Sequence, residues 1–239
     1  MAGTVLAYTS PGKPTGLVND FAGVLSAGQR AALENKLGNF ERPAGVQVAV
    51  VTVTSLGGDT IEDYAVKLFQ EWGIGQKLSD NGLLLLVAPN DREARIEVGY
   101  GLEPTVTDAA SSVIVNSIMI PAFKTGDYYG GIDKGTDKIM GLIEGDPETQ
   151  RFVTQNSRAD MQGNDQNAPQ SVPIFVPIVC IVLFIILAST RWGRRILFYF
   201  FISGLFGGGR GGRGNGSSGG GFSGFGGGRS GGGGASGRW

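Results

Sequence analysis

Carboxylates are the side chains of this sequence best placed to do chemistry. Four stand where the chain turns: Asp20 in VND, Asp80 in SDNG, Glu103 in GYGLE and Asp108 in VTD. The chain has no histidine and a single cysteine. Ser-His-Asp triads, Cys-His pairs, phosphohistidine chemistry, intramolecular disulfides and nearly every zinc site are thereby excluded. Carboxylates together with carbonyl oxygens suit hard cations, so the expected cofactor is Ca2+ or Mg2+, with Asp80 and Glu103 as its principal ligands and Asp108 and Asp20 as further ones. Converging carboxylates without a cation would repel one another unless one kept its proton. Two of these acids also have an ordinary local use, Asp80-Asn81-Gly82 as a turn and Asp108 as the acid of a capping box. Gly99 and Gly101 around Tyr100 mark tight backbone geometry beside Glu103. The same glycines do not make a dinucleotide fingerprint, because the third glycine and the strand-to-helix turn are missing.

These acids depend on a predicted hairpin for their positions. Leu83 to Ala88 is a short continuous apolar run, read as a strand buried on both faces. Arg92 to Gly99 alternates, with Ala94, Ile96 and Val98 on one face and Glu93, Arg95 and Glu97 on the other, as in a strand with one covered face. A turn through Pro89-Asn90-Asp91-Arg92 joins them, which brings Asp80 and Glu103 to the same end of the sheet. Upstream, Ser26 caps a helix carrying Leu33, Leu37 and Phe40 at helical spacing. Val46 to Val53 reads as a central strand, and Thr60 caps a helix with Ile61, Ala65, Leu68 and Trp72 on one face and Gly73 or Gly75 as its stop. Thr105 to Asp108 has capping-box spacing and opens a helix through about Phe123, and Ile132 to Ile143 makes a last one. Strand-helix-strand order implies a right-handed parallel crossover. The expected fold class is α/β, a small α/β/α sandwich with a mixed sheet, followed by one transmembrane helix and a disordered Gly-rich tail.

Charge divides the chain. Residues 1–150 hold 11 Lys and Arg against 19 Asp and Glu, a net −8, whereas residues 151–239 hold 9 against 2, a net +7. Residues 1–15 read as a signal-peptide remnant, with Val5-Leu6-Ala7 as a cleavage pattern, or as a disordered start. Residues 16–147 carry the α/β domain, and 148–171 are polar and aperiodic, a linker by composition. Val172 to Thr190 is uncharged and apolar over 19 residues, close to the ~20 a helix needs to cross a bilayer. Arg191, Arg194 and Arg195 follow it and, by the positive-inside bias, place the C-terminal tail in the cytoplasm and the domain outside. Residues 191–206 form a basic, then interfacial apolar segment, and 207–239 a Gly-rich disordered tail. The four arginines of that tail are sparse for RNA binding, so nucleic acid is not the expected partner.

The motifs LVNDFAGVLS, GVQVAVVTVTSLGGDTIEDYAVKLFQEWGIG, DNGLLLLVAPNDREARIEVGYGLE and VTDAASSVIVNSIMIPAFKTGDYYGGI, in this order, resemble the TPM domain family over residues 16–147. The apolar segment and the tail ending GGGRSGGGGASGRW resemble its bacterial YgcG-like branch. The resemblance implies an extracytoplasmic α/β/α domain, divalent-cation binding in some members and acid-phosphatase activity in a plant member. Bacterial members usually carry an N-terminal signal peptide, a pattern that residues 1–15 match only as a remnant. The expected function is therefore a membrane-anchored extracytoplasmic accessory or binding module that acts on membrane proteins or their maintenance. The rivals are a metal-dependent acid phosphatase and RNA or membrane-surface binding through the Arg/Gly tail. Against the phosphatase, the chain carries no P-loop and no Asp-x-Asp-x-Thr nucleophile motif.

Overall fold

The computed structural model of the protein describes residues 8–164 and 225–239. Helix α1 (Ala27–Ala44) starts where sequence chemistry dictates: the Ser26 hydroxyl accepts from Gln29 N while the Gln29 side chain accepts from Ser26 N, a reciprocal capping box. It ends at Gly45, whose φ of 66° is left-handed. Helix α2 (Ile61–Trp72) is capped by Thr60 and stopped by Gly73 in the same way. Three parallel strands, β1 (Val18–Asp20), β2 (Gln47–Thr52) and β3 (Gly82–Ala88), alternate with these helices. β4 (Glu93–Gly99) returns antiparallel to β3 through the expected turn, pairing Leu85 with Ile96.

The sheet is sandwiched. Leu83, Leu85 and Val87 face one core with Leu33, Leu37, Ile96 and Ile139, while Leu84 and Leu86 face the other with Ala65, Leu68 and Phe69. A central strand covered on both sides has no solvent face to keep polar, hence the unbroken apolar run. Helix α1 packs on the first face and α2 on the second, although the strand order steps uniformly from β1 to β2 to β3. The two crossovers therefore have opposite hands.

The helix expected from Thr105 begins two residues later. Thr107 is the N-cap, accepting from Ala110 N at 3.2 Å, and Asp108 occupies the first turn instead of closing a capping box. The helix runs as α3 (Asp108–Ile114), a π-helical segment at Val115–Met119 and α4 (Ile120–Lys124). Helix α5 (Tyr128–Glu144) follows, tied to α1 by Lys36, which pairs with Asp133 at 2.8 Å and with Asp137 at 2.5 Å.

Three regions depart from the sequence reading. The polar stretch assigned to a linker from residue 148 is helical as far as 164, in α6 (Pro147–Asn164). Its start is a local signal: Asp146 accepts from Thr149 N at 2.9 Å and from the Thr149 hydroxyl at 2.5 Å, and Pro147 takes the first helical position, where its missing N–H costs nothing. Residues 8–15, assigned to a remnant or disordered start, lie against α2: Tyr8 meets Tyr64 edge-on, and the Trp72 indole donates to Gly12 O at 2.9 Å. The Gly-rich tail, read as disordered, contributes a fifth strand, β5 (Ser230–Arg238), antiparallel to β4 at the edge of the sheet. The proposed membrane segments, Val172–Thr190 and residues 191–206, lie outside the described residues. Among those described, no helix is long and apolar enough to cross a membrane.

The Asp146 cap carries a prediction. The hydrogen bond from the Thr149 hydroxyl, then the one from its backbone N–H, hold the Asp146 carboxyl below the usual carboxylate range. A depressed folded-state pKa contributes stability above the unfolded value, about 3.9, that is lost as pH falls through the folded one. Protection of the Thr149 amide from hydrogen exchange should thus persist at neutral pH and weaken only below about pH 4. Asp146→Ala should abolish it at every pH.

Candidate docking site at the edge of the sheet

The open side of β4 is a groove walled by α2 on one face and by α3 with its π-helical continuation on the other, and residues 225–239 fill it. β5 pairs Arg238 with Glu93, Gly237 with Ala94, Ile96 with Ala235 and Val98 with Gly233, and an irregularity then brings Ser230 opposite Gly99. Upstream the segment keeps its backbone contacts. Gly228 N donates to Gly75 O at 2.8 Å, Gly227 N to Gly73 O at 2.5 Å, and Lys77 N to Gly226 O at 3.1 Å.

Acidic side chains read the backbone of this segment. Asp80 Oδ1 accepts from Arg229 N at 2.8 Å, Glu97 Oε1 from Gly232 N at 3.1 Å and Asp108 Oδ1 from Gly234 N at 2.7 Å. Glu93 accepts from Arg238 Nε at 2.9 Å, and Glu62 accepts from the Ser236 hydroxyl. An antiparallel edge strand leaves every second N–H directed away from its partner, and ionised carboxylates are strong acceptors for such backbone donors. Asp80 is held for this purpose at a left-handed φ of 47°, with its own carbonyl accepting from Gly101 N at 3.1 Å. Gly101 is obligatory there, because a Cβ would sit 1.9 Å from Ser79 O.

Arg95 and Glu97 depart from the expectation of a solvent-facing polar row on β4. They are 4% and 0% exposed, since α2 and β5 together cover that face. Arg95 donates to Glu97 Oε2 at 2.8 Å through Nε and to Gly232 O at 2.8 Å. Burial pushes the Glu97 carboxyl above the usual glutamate range, with the Arg95 guanidinium and the Gly232 N–H pulling against it. Burial likewise works against the Glu62 carboxylate, but the Ser236 hydroxyl, a backbone N–H and Arg95 outweigh it and hold its pKa below the ordinary value.

Glycine is the other half of the fit. A Cβ at Gly234, where φ is 115°, would fall 1.9 Å from Ile96 O; at Gly228 it would fall 2.4 Å from Ile74 O, and at Gly237 2.7 Å from Val115 Cγ1. Real contacts of that length do not occur, so the groove admits the strand only with glycine at these three positions. Aromatic rings hold both ends. Phe225 stacks on Trp72 with centroids 6.2 Å apart and planes 12° from parallel, and Trp239 packs on Phe123 at 5.0 Å and on Tyr128 at 6.2 Å.

Of the four acids proposed as cation ligands, three border this groove. Asp80 and Glu103 lie at the same end of the sheet as expected, but Asp80 faces Arg229, whereas Glu103 lies against Gly233, where a Cβ would stand 2.9 Å from its Oε1. Asp20 lies at the other end, beside Thr52 at the C-terminal ends of β1 and β2. There it accepts from Val24 N at 3.1 Å, Leu25 N at 2.9 Å and the Thr52 hydroxyl at 2.5 Å, locking the turn into α1. Among the described residues no group of three or more His, Cys, Asp or Glu is gathered to hold a metal ion. The donor set therefore does not fit a shared cation, because the oxygens of Asp80 and Asp108 face N–H donors on different residues of one strand. Sequence reasoning missed Glu62, Glu93, Arg95 and Glu97 as site residues. Arg95 and Glu97 left one available sign, two charged residues pointing the same way from a strand next to the center of a sheet.

Among solved structures, the N-terminal domain of a protein from P. gingivalis, determined by solution NMR, is 37% identical, covering 56% of this chain and 85% of its own length with a TM-score of 0.52. The N-terminal domain of cg2496 protein from Corynebacterium glutamicum, also determined by solution NMR, is 21% identical, covering 64% of this chain and 88% of its own length with a TM-score of 0.41. No curated protein matches the chain. Residues 18–142, more than half of the sequence and all of the sheet except β5, match the TPM domain, and the chain belongs to the TPM domain family.

Proposed function

We propose that this chain is a membrane-anchored accessory module whose TPM domain docks an extended peptide strand along β4 in place of turning a substrate over. The observation that carries this reading is that Asp80, Glu97 and Asp108 each accept a hydrogen bond from a backbone N–H of one extended segment. Main-chain pairing along a sheet edge supplies affinity, and the groove walls supply selectivity, as in other cases of strand addition. Membrane proteins and their maintenance are the partner class.

Val172–Thr190 supplies the apolar length for an anchor. Because β5 pairs with β4, the domain and the C-terminal strand share one side of the bilayer in this proposal. A single crossing, with the domain outside and the tail in the cytoplasm, would part them. In this proposal the apolar stretch Val172–Phe206 therefore enters and leaves the bilayer on that same side, since the eleven residues Ile196–Phe206 are too few to cross it as a helix.

The enzymatic alternative is tested by hydrolysis of p-nitrophenyl phosphate by the purified protein from pH 4 to 8, with and without Ca2+ or Mg2+. The expected result is trace hydrolysis that neither cation raises and that Asp80→Asn leaves unchanged. Robust, cation-dependent turnover lost in a folded Asp80→Asn variant would replace docking with metal-assisted hydrolysis.

A further inference from the structure

We infer that the β4 groove also takes the C-terminal strand of a second copy of this chain, so that copies associate by exchanging residues 225–239. The inference rests on the docking reading above and names its partner. Three observations carry it. First, the groove is specific for this segment. Carbonyls of Ile74 and Ile96 exclude a side chain at Gly228 and Gly234, and aromatic residues receive Phe225 and Trp239 at the ends. A second copy presents the same pattern, with identical contacts available. Charge agrees: the segment carries Arg229 and Arg238 with no acid, and Glu62, Asp80, Glu93 and Asp108 all accept from it.

Second, the groove is lined as a strand edge that tolerates being empty. On the α2 side it offers Glu62, Glu93, Arg95 and Glu97, and inward-pointing charges are the means by which an unpaired edge stays soluble. A permanent inner strand would need no such charges, and apolar residues of the same volume would stabilise it as well or better. Third, sixty residues, 165–224, separate α6 from Phe225. Fully extended, that length reaches at most about 200 Å, so the groove of a neighbouring copy lies within range as well as the chain's own.

The test uses the full chain with one affinity tag and a chain ending at Gly224 with another, purified in detergent and mixed. The second chain has an empty groove and no strand to give, and a relative's N-terminal domain adopts this fold on its own. The expected result is capture of the truncated chain by the full chain. Excess synthetic peptide spanning Phe225 to Trp239 should release it, and Gly228→Val in the full chain should weaken capture at least tenfold. Capture that survives Gly228→Val would place the association elsewhere and overturn the proposal. If the folded truncated chain binds the free peptide but is never captured, the strand docks only within its own chain; the exchange proposal falls and the docking reading stands. If it binds no peptide at 1 mM, both fall. Should the truncated chain fail to fold, the full chain carrying Gly228→Val serves as the acceptor with the same outcomes.

Discussion

Gly234→Val releases the last fifteen residues and leaves the rest of the sheet in place. The new Cβ would lie 1.9 Å from Ile96 O and 3.3 Å from Glu97 Cα, both in the backbone of β4, which is held on its other side by six residue pairs with β3. Neither atom can retreat without breaking that ladder, so β5 must move. Valine at a φ of 115° adds strain of its own, on the order of 1–3 kcal/mol. Together these exceed ~2 kcal/mol, enough to lower the docked population more than about thirtyfold. Limited proteolysis of the full chain should then cleave beyond Phe225 at once, while a fragment spanning the domain resists. Amides of β4 that face β5 should exchange faster, and those that face β3 should not. A tail as protected as in the wild type would mean that β5 is held by its aromatic ends alone.

The second large effect is expected at Arg95. Among the described residues its guanidinium is the only cation paired with Glu97, which has no exposed surface, at 2.6 Å from Oε2. Arg95→Ala leaves a buried carboxylate unpaired, a change that costs about 3–5 kcal/mol. The cost depends on pH, and its sign follows from Glu97. Burial already holds this carboxyl above its ordinary value, and losing Arg95 removes the strongest influence pulling it down. A raised folded-state pKa gives stability that is complete below the unfolded value and is lost as pH rises through the folded one. The deficit of Arg95→Ala should therefore be large at pH 7 and shrink as the pH approaches the ordinary glutamate value, where Glu97 keeps its proton. Thermal unfolding of both proteins across that range measures it. Replacing both residues by leucine should restore most of the stability at pH 7, because the cost lies in the unpaired charge and not in the loss of the pair.

Much of the domain was legible because its signals are local. Ser26 and Thr60 cap helices through their own hydroxyls, Gly45 and Gly73 end them at a left-handed φ, and Leu83–Ala88 reads as a doubly covered strand from its composition alone. Asp146-Pro147 announced α6 in the same local language, yet the scarcity of apolar residues after it spoke for a linker. Composition also removed histidine chemistry outright. Asp80 and Glu103 were rightly put at one end of the sheet, because the register of the β3–β4 hairpin follows from its local pattern.

What the acids meet was decided only by tertiary structure. Glycine has no side chain to carry a periodic pattern, so GGGRSGGGGASGRW looks the same whether it is loose or seated. Its fit is defined by atoms more than a hundred residues away, the carbonyls of Ile74 and Ile96 and the side chain of Val115, which leave room for a backbone and nothing more. The same distance hid the burial of Arg95 and Glu97, whose alternation along β4 is that of a solvated face until β5 covers it. Local chemistry built the sheet and its charged edge, and long-range packing turned that edge into a site for a strand, because steric exclusion and backbone hydrogen bonding act between segments that sequence order keeps far apart.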